Sequence, residues 1–112
     1  MEELSVIVST QGLYKKVSNL TQKLSSLKKQ TIGRRLEDSL LQLLELLILA
    51  KHAPKAHKAA YLIKATAQAE IVQFHLRTLL EQKLANETTL HQLQAHMLEI
   101  GRMLGGWYKS VK

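Results

Sequence analysis

Apolar residues recur at alternating steps of three and four along almost the whole chain, and a single proline, Pro54, interrupts its 112 residues. Steps of three and four return side chains to one face of an α-helix, whereas a half-buried strand needs steps of two. Five glycines and one proline are also too little punctuation for many short strands and turns. The expected fold class is therefore all-α.

Four stripes can be read in order. Leu13, Val17, Leu20, Leu24 and Leu27 form the inner face of a first helix, whose start is obscured by the β-branched run SVIVST, a poor helix former. The pattern breaks in SSLKKQT, and Thr31 is the expected N-cap of a second helix carrying Leu36, Leu40, Leu43 and Leu47. Pro54 closes that helix, because the residue before a proline avoids the α region. A third helix from about Lys55 places Leu62, Ala65, Ala69, Val72, Leu76 and Leu79 on one face. LANET ends it, with Thr88 as the next expected cap, and the fourth helix carries Leu90, Leu93, Met97, Ile100, Leu104 and Trp107 in heptad register. Residues 1–112 thus read as one up-down four-helix-bundle domain.

The last helix contains LEIGRMLGGW, residues 98–107, with three glycines in six positions. Each glycine in a helix interior costs about 1 kcal/mol relative to alanine. Trp107 falls where the heptad register needs an apolar residue, so the helix is expected to run through the glycines. Gly101 and Gly105 then share a bare face that another helix or chain can approach closely, and Gly101, Gly105 and Trp107 are the expected packing residues. On the second helix, Leu41, Leu44 and Ile48 make an apolar stripe beside the inner one, which exceeds what a monomeric bundle helix needs and implies self-association.

Chemistry is constrained by what is missing. The sequence contains no cysteine, which excludes disulfides and thiolate sites. The Glu-x-x-His pairs that place metals in helical bundles do not occur, and only His96 and Glu99 have a spacing that could share a ligand. No metal and no cofactor are expected. Helical-bundle ribonucleases rely on an arginine followed by a histidine after four to six intervening residues, and no arginine here is followed by a histidine at that distance. An enzyme is not expected. Glu2 and Glu3 stand where a secretory leader would carry lysines, and even LLQLLELLILA is broken by Gln42 and Glu45, so the expectation is a cytoplasmic protein without a membrane partner.

Formal net charge is +7, and it is unevenly placed. Lys15, Lys16, Lys23, Lys28, Lys29, Arg34 and Arg35 lie in a stretch with no acidic residue, as do Lys51, Lys55, Lys58 and Lys64. These eleven side chains are the candidate nucleic-acid contacts. An up-down bundle would collect them at opposite ends. Arg34 and Arg35 open a helix, where the dipole disfavours cations, although Arg34 could pair with Asp38 one turn on.

Two phrases, GRRLEDSLLQLLELLILA and EIGRMLGGWYKSV, resemble the accessory variability determinant (Avd) family of diversity-generating retroelements. The run Gly101-Arg102-Met103-Leu104-Gly105-Gly106-Trp107 is similar to that family's C-terminal pattern of Gly-Arg, an aliphatic pair, Gly, a small residue and Trp. The resemblance implies four-helix protomers in a ring-shaped homo-oligomer, typically a pentamer. It further implies a non-catalytic subunit that binds the cognate reverse transcriptase and the template-repeat RNA to support mutagenic cDNA synthesis; from the basic charge, DNA is expected to be bound less selectively. Arg77, in FHLRTLL, is the candidate contact to the polymerase, since relatives show a similar phrase. Two other readings stand beside it: an RNA-binding bundle like those encoded in ribosomal-RNA intervening sequences, and a helical scaffold with no nucleic-acid role.

Overall fold

Four long helices run α1 (Glu2–Thr21), α2 (Arg34–His52), α3 (Lys55–Glu81) and α4 (Glu87–Val111). The structure, a computed structural model, describes residues 2–112. Consecutive helices pack side by side, and α4 returns to α1, so the chain is an antiparallel up-down bundle measuring 44 × 22 × 19 Å. No strand occurs among the described residues. None of their helices is long and apolar enough to cross a membrane.

The inner stripes expected from the spacing on α2, α3 and α4 are buried throughout, from Leu36 to Leu47, Leu62 to Leu79 and Leu90 to Trp107. Truncating any of the larger of these to alanine costs about 2–5 kcal/mol, so they carry most of the fold's stability. On α1 the β-branched run is helical from Glu2 onward, with Val6 and Ile7 buried and Thr10 donating to the Val6 carbonyl at 2.8 Å. Propensity differences of a few tenths of a kcal/mol per residue lose to that burial.

Three boundary expectations need correction. Thr31 is not the cap of the second helix. Ser25 caps instead, its Oγ accepting from the Lys28 amide at 3.3 Å, and a helical turn at Ser26–Lys28 and a π-helical segment at Lys29–Gly33 lead without a break into α2. Leu27 lies beyond the end of α1 in that turn and is 70% exposed, so only Leu24 extends the first stripe. Thr88 is not the cap of α4 either. Asn86 caps it, with Oδ1 accepting from the Thr89 amide at 2.9 Å; an asparagine three residues ahead of that amide outcompetes a threonine already inside the helix.

The π segment ends at Gly33. Gly33 is buried, and a Cβ built there would stand 3.2 Å from Leu24 Cδ1, 3.3 Å from the Lys28 carbonyl and 3.4 Å from Thr21 Cβ. The glycine lets α2 begin hard against the end of α1, where Thr21 donates a hydrogen bond to the Glu37 carboxylate. Gly33→Leu should therefore destabilise the protomer by about 1–3 kcal/mol through overpacking, despite its better helix propensity. Urea unfolding followed by circular dichroism reads this, and unchanged stability would contradict the close approach.

At the far end of α3 the chain turns through Lys83 with φ 56°. The Lys83 amide bonds the Leu80 carbonyl at 3.1 Å and the Leu84 amide the Leu79 carbonyl at 3.0 Å, a Schellman arrangement in which glycine is favoured. Lys83→Gly is expected to stabilise by up to about 1 kcal/mol.

Candidate nucleic-acid and partner interfaces

Up-down topology sorts the basic residues into two groups. One end gathers Lys23, Lys28, Lys29, Arg34 and Arg35, from the end of α1, its connection and the start of α2, with Lys15 and Lys16 farther along α1. At the opposite end stand Lys51, Lys55, Lys58 and Lys64. The C-terminal turns of α4 add Lys109 and Lys112 there, a contribution that the linear charge pattern hides and the topology exposes.

Most of this charge meets no carboxylate. Among the described residues the ion pairs are Arg102–Glu99 at 3.2 Å and His91–Glu87 at 3.6 Å, so Arg34 makes no pair with Asp38. Some lysines are engaged in other ways. Lys58 is half-buried, and its Nζ donates to the Ala50 and Lys51 carbonyls, both at 2.8 Å, satisfying the open end of α2. That makes Lys58 a helix cap before it is a phosphate ligand. Lys64 and Lys112 lie over the Tyr61 and Tyr108 rings, each 5.9 Å from the centroid. Of the other predicted contacts, Lys15, Lys23, Lys29, Arg34, Arg35, Lys51 and Lys55 are exposed and Lys28 is half-buried.

Lys16 is tied to the α1–α4 seam. Its Nζ lies 3.5 Å from His96 Nδ1, and His96 Nε2 lies 2.9 Å from Ser9 Oγ. Ammonium can only donate, so Nδ1 accepts and the Nε2–H donates to the serine. Burial, and then the Lys16 charge, lower the His96 pKa, with Ser9 acting in the opposite sense. His96 is thereby occupied, while Glu99 faces Arg102, so this pair is not arranged to share a ligand.

Beside the charged ends lie two apolar flanks. Leu41, Leu44 and Ile48 continue the stripe of Glu37, which meets α1, and Leu41 and Ile48 are 44% and 38% exposed. Across the bundle, Ile63, Ala67 and Ile71 on α3 and Gly105 and Tyr108 on α4 line an open groove. Gly101 and Gly105 sit inside the helix as expected, yet a Cβ on either would meet nothing within 4 Å. Their bare face packs against nothing in the protomer. Trp107, two residues on from Gly105 and so on the opposite side of the helix, is buried in the core with its indole nitrogen lacking a hydrogen-bond partner.

With this geometry in hand, the comparison with known families is decisive: the sequence model of the bAvd-like family matches residues 5–111. The chain belongs to the bAvd-like family. A search of curated proteins finds no match. The resemblance carried by GRMLGGW is borne out, and with it the assignment to Avd-type accessory proteins of diversity-generating retroelements.

For this bAvd-like protein, sequence reasoning placed the spare apolar stripe on α2 and missed the one on α3. Ile63, Ala67, Ile71 and Phe74 are all exposed, and their spacing of four, four and three was the available signal, offset from the core stripe that masked it. Arg77, the candidate polymerase contact, is exposed beside this stripe.

Acidification should weaken the fold. His96 and His75 both have pKa values below the ordinary 6.5, His75 through burial and then the Arg35 charge. Between the folded and unfolded values the unfolded chain binds more protons. Their contribution is therefore fully present above about pH 6.5, is lost as pH falls toward the lowered folded values, and levels off below them. Thermal melts over this range should show a falling midpoint, and the His75→Gln, His96→Gln double variant should flatten it. An unaltered profile would contradict the assignment.

Proposed function

We propose that this bAvd-like protein is a non-catalytic accessory subunit that binds the cognate reverse transcriptase and its template RNA, supporting mutagenic cDNA synthesis. The observation that carries the RNA part is the set of basic side chains at the two ends that meet no carboxylate. Unneutralised cations release counterions from a polyanion on binding, and with one exposed aromatic side chain among the described residues, Phe74, most contacts go to backbone phosphates. Sequence selectivity is accordingly modest. Filter binding or anisotropy with template RNA across a salt series tests this: log affinity should fall linearly with log salt, and the absence of binding near physiological salt would favour a helical scaffold.

Assembly follows from the two flanks. In a bundle ordered α1-α2-α3-α4, the α1/α2 and α3/α4 sides are opposite, and the two exposed apolar flanks differ in composition. Unlike faces on opposite sides associate head to tail, which closes a ring when the rotation permits. Five copies is the number the family implies. Gly105→Leu should block assembly while leaving the protomer folded, since the new side chain enters open space in the protomer. Native mass spectrometry distinguishes the outcomes: a wild-type monomer would remove the ring, and a Gly105→Leu oligomer of wild-type mass would move the interface elsewhere.

A further inference from the structure

Phe74 is 57% exposed and ends the α3 stripe, where the lining turns from apolar to polar and basic. One side of it opens on a shallow depression of about 310 Å³ between the start of α2 and the C-terminal half of α3, to which Arg35, His75, Thr78 and Gln82 contribute. No carboxylate lines that depression. On its other side lie Ile71 and Arg77, with Glu70 a turn back along α3. The Phe74 and His75 rings sit 5.6 Å apart, tilted by 58° and not stacked face to face, and more than half of Phe74 stays exposed. Among the described residues, neither Arg35 nor Arg77 is ion-paired and the Gln82 side-chain amide makes no hydrogen bond. Lys28, Lys29 and Arg34 stand on the elements that lead to Arg35.

We propose that this depression is a stacking site for an unpaired base of single-stranded nucleic acid. Phe74 is the platform, Gln82 meets a base edge, and Arg35 holds a flanking phosphate. An exposed aromatic ring among unpaired cations is the combination that single-strand binders use, whereas charged residues are depleted at the core of protein–protein interfaces. His75, whose pKa is lowered by burial and by Arg35, is neutral at physiological pH and adds a second ring without repelling Arg35. The inference rests on the nucleic-acid reading above and gives it a local mechanism for preferring unpaired RNA over duplex.

The test uses the full-length protein with a single-stranded RNA of about ten nucleotides, a length within the span of known single-strand sites, carrying one 2-aminopurine. Wild type should quench the probe on binding. Phe74→Ala should raise Kd about 5- to 100-fold and abolish quenching, and Phe74→Leu, which keeps apolar bulk, should lose quenching equally. Both should keep the wild-type melting curve, salt slope and duplex affinity. Phe74→Trp should restore quenching, and Arg35→Gln should lower the salt slope by about 0.7 with quenching retained. If wild type binds and Phe74→Ala matches it in affinity and quenching, the stacking site is wrong while the phosphate reading stands. A Phe74→Ala variant of altered assembly mass would assign the residue to a subunit contact and overturn the proposal. No binding by wild type would overturn both readings together.

Discussion

Trp107→Ala should destabilise the protomer by about 3–5 kcal/mol, enough to unfold much of a marginally stable domain. The side chain is 1% exposed, and it anchors the stretch of α4 that Gly105 and Gly106 weaken by about 1 kcal/mol each. Trp107→Phe should behave very differently. The indole nitrogen is buried without a partner, a condition that costs about 1–3 kcal/mol. Its removal offsets much of the lost volume, so the phenylalanine variant should stay within about 1 kcal/mol of wild type. Chemical denaturation followed by far-ultraviolet circular dichroism reads both. A phenylalanine variant as unstable as the alanine one would mean that the nitrogen finds its partner in the assembled protein.

The core was legible because burial on a helix has a period, and every position expected inside α2, α3 and α4 is inside. Helix ends were not, because capping is decided by single hydrogen bonds among equivalent candidates: Ser25 and Asn86 cap where Thr31 and Thr88 were equally plausible by type. The glycines show the same limit. Gly101 and Gly105 drew attention through their density, yet they face open space while Gly33 is tightly packed, at the end of a π-helical entry with no sequence signature. For the basic groups, residue type and topology sufficed to place them at two ends. Spacing could not show that Lys58 would cap α2 or that Lys16 would reach His96 across the α1–α4 seam.

Those engaged lysines reshape the second large effect. Replacing Lys51, Lys55 and Lys109 by glutamine should reduce the salt slope of RNA binding by about two to three units and the affinity at physiological salt by about 10- to 100-fold. The set avoids Lys58 so that loss of binding is not confused with loss of the α2 cap. Lys23→Gln, Lys29→Gln and Arg34→Gln together test the other end. If one set changes the slope and the other does not, RNA runs over a single end of the bundle. If neither does, the charge is solvated and the phosphate mechanism fails.

Membership of the bAvd-like family makes association with a retroelement polymerase the central claim. Its most direct measurement is co-expression of this chain with the reverse transcriptase of a diversity-generating retroelement, followed by affinity capture at low salt and native mass spectrometry. The account predicts a defined complex containing the polymerase and a fixed number of copies of this chain, weakened by Arg77→Glu and by rising salt. Recovery of the two proteins separately, with the chain folded and its own assembly intact, would contradict it.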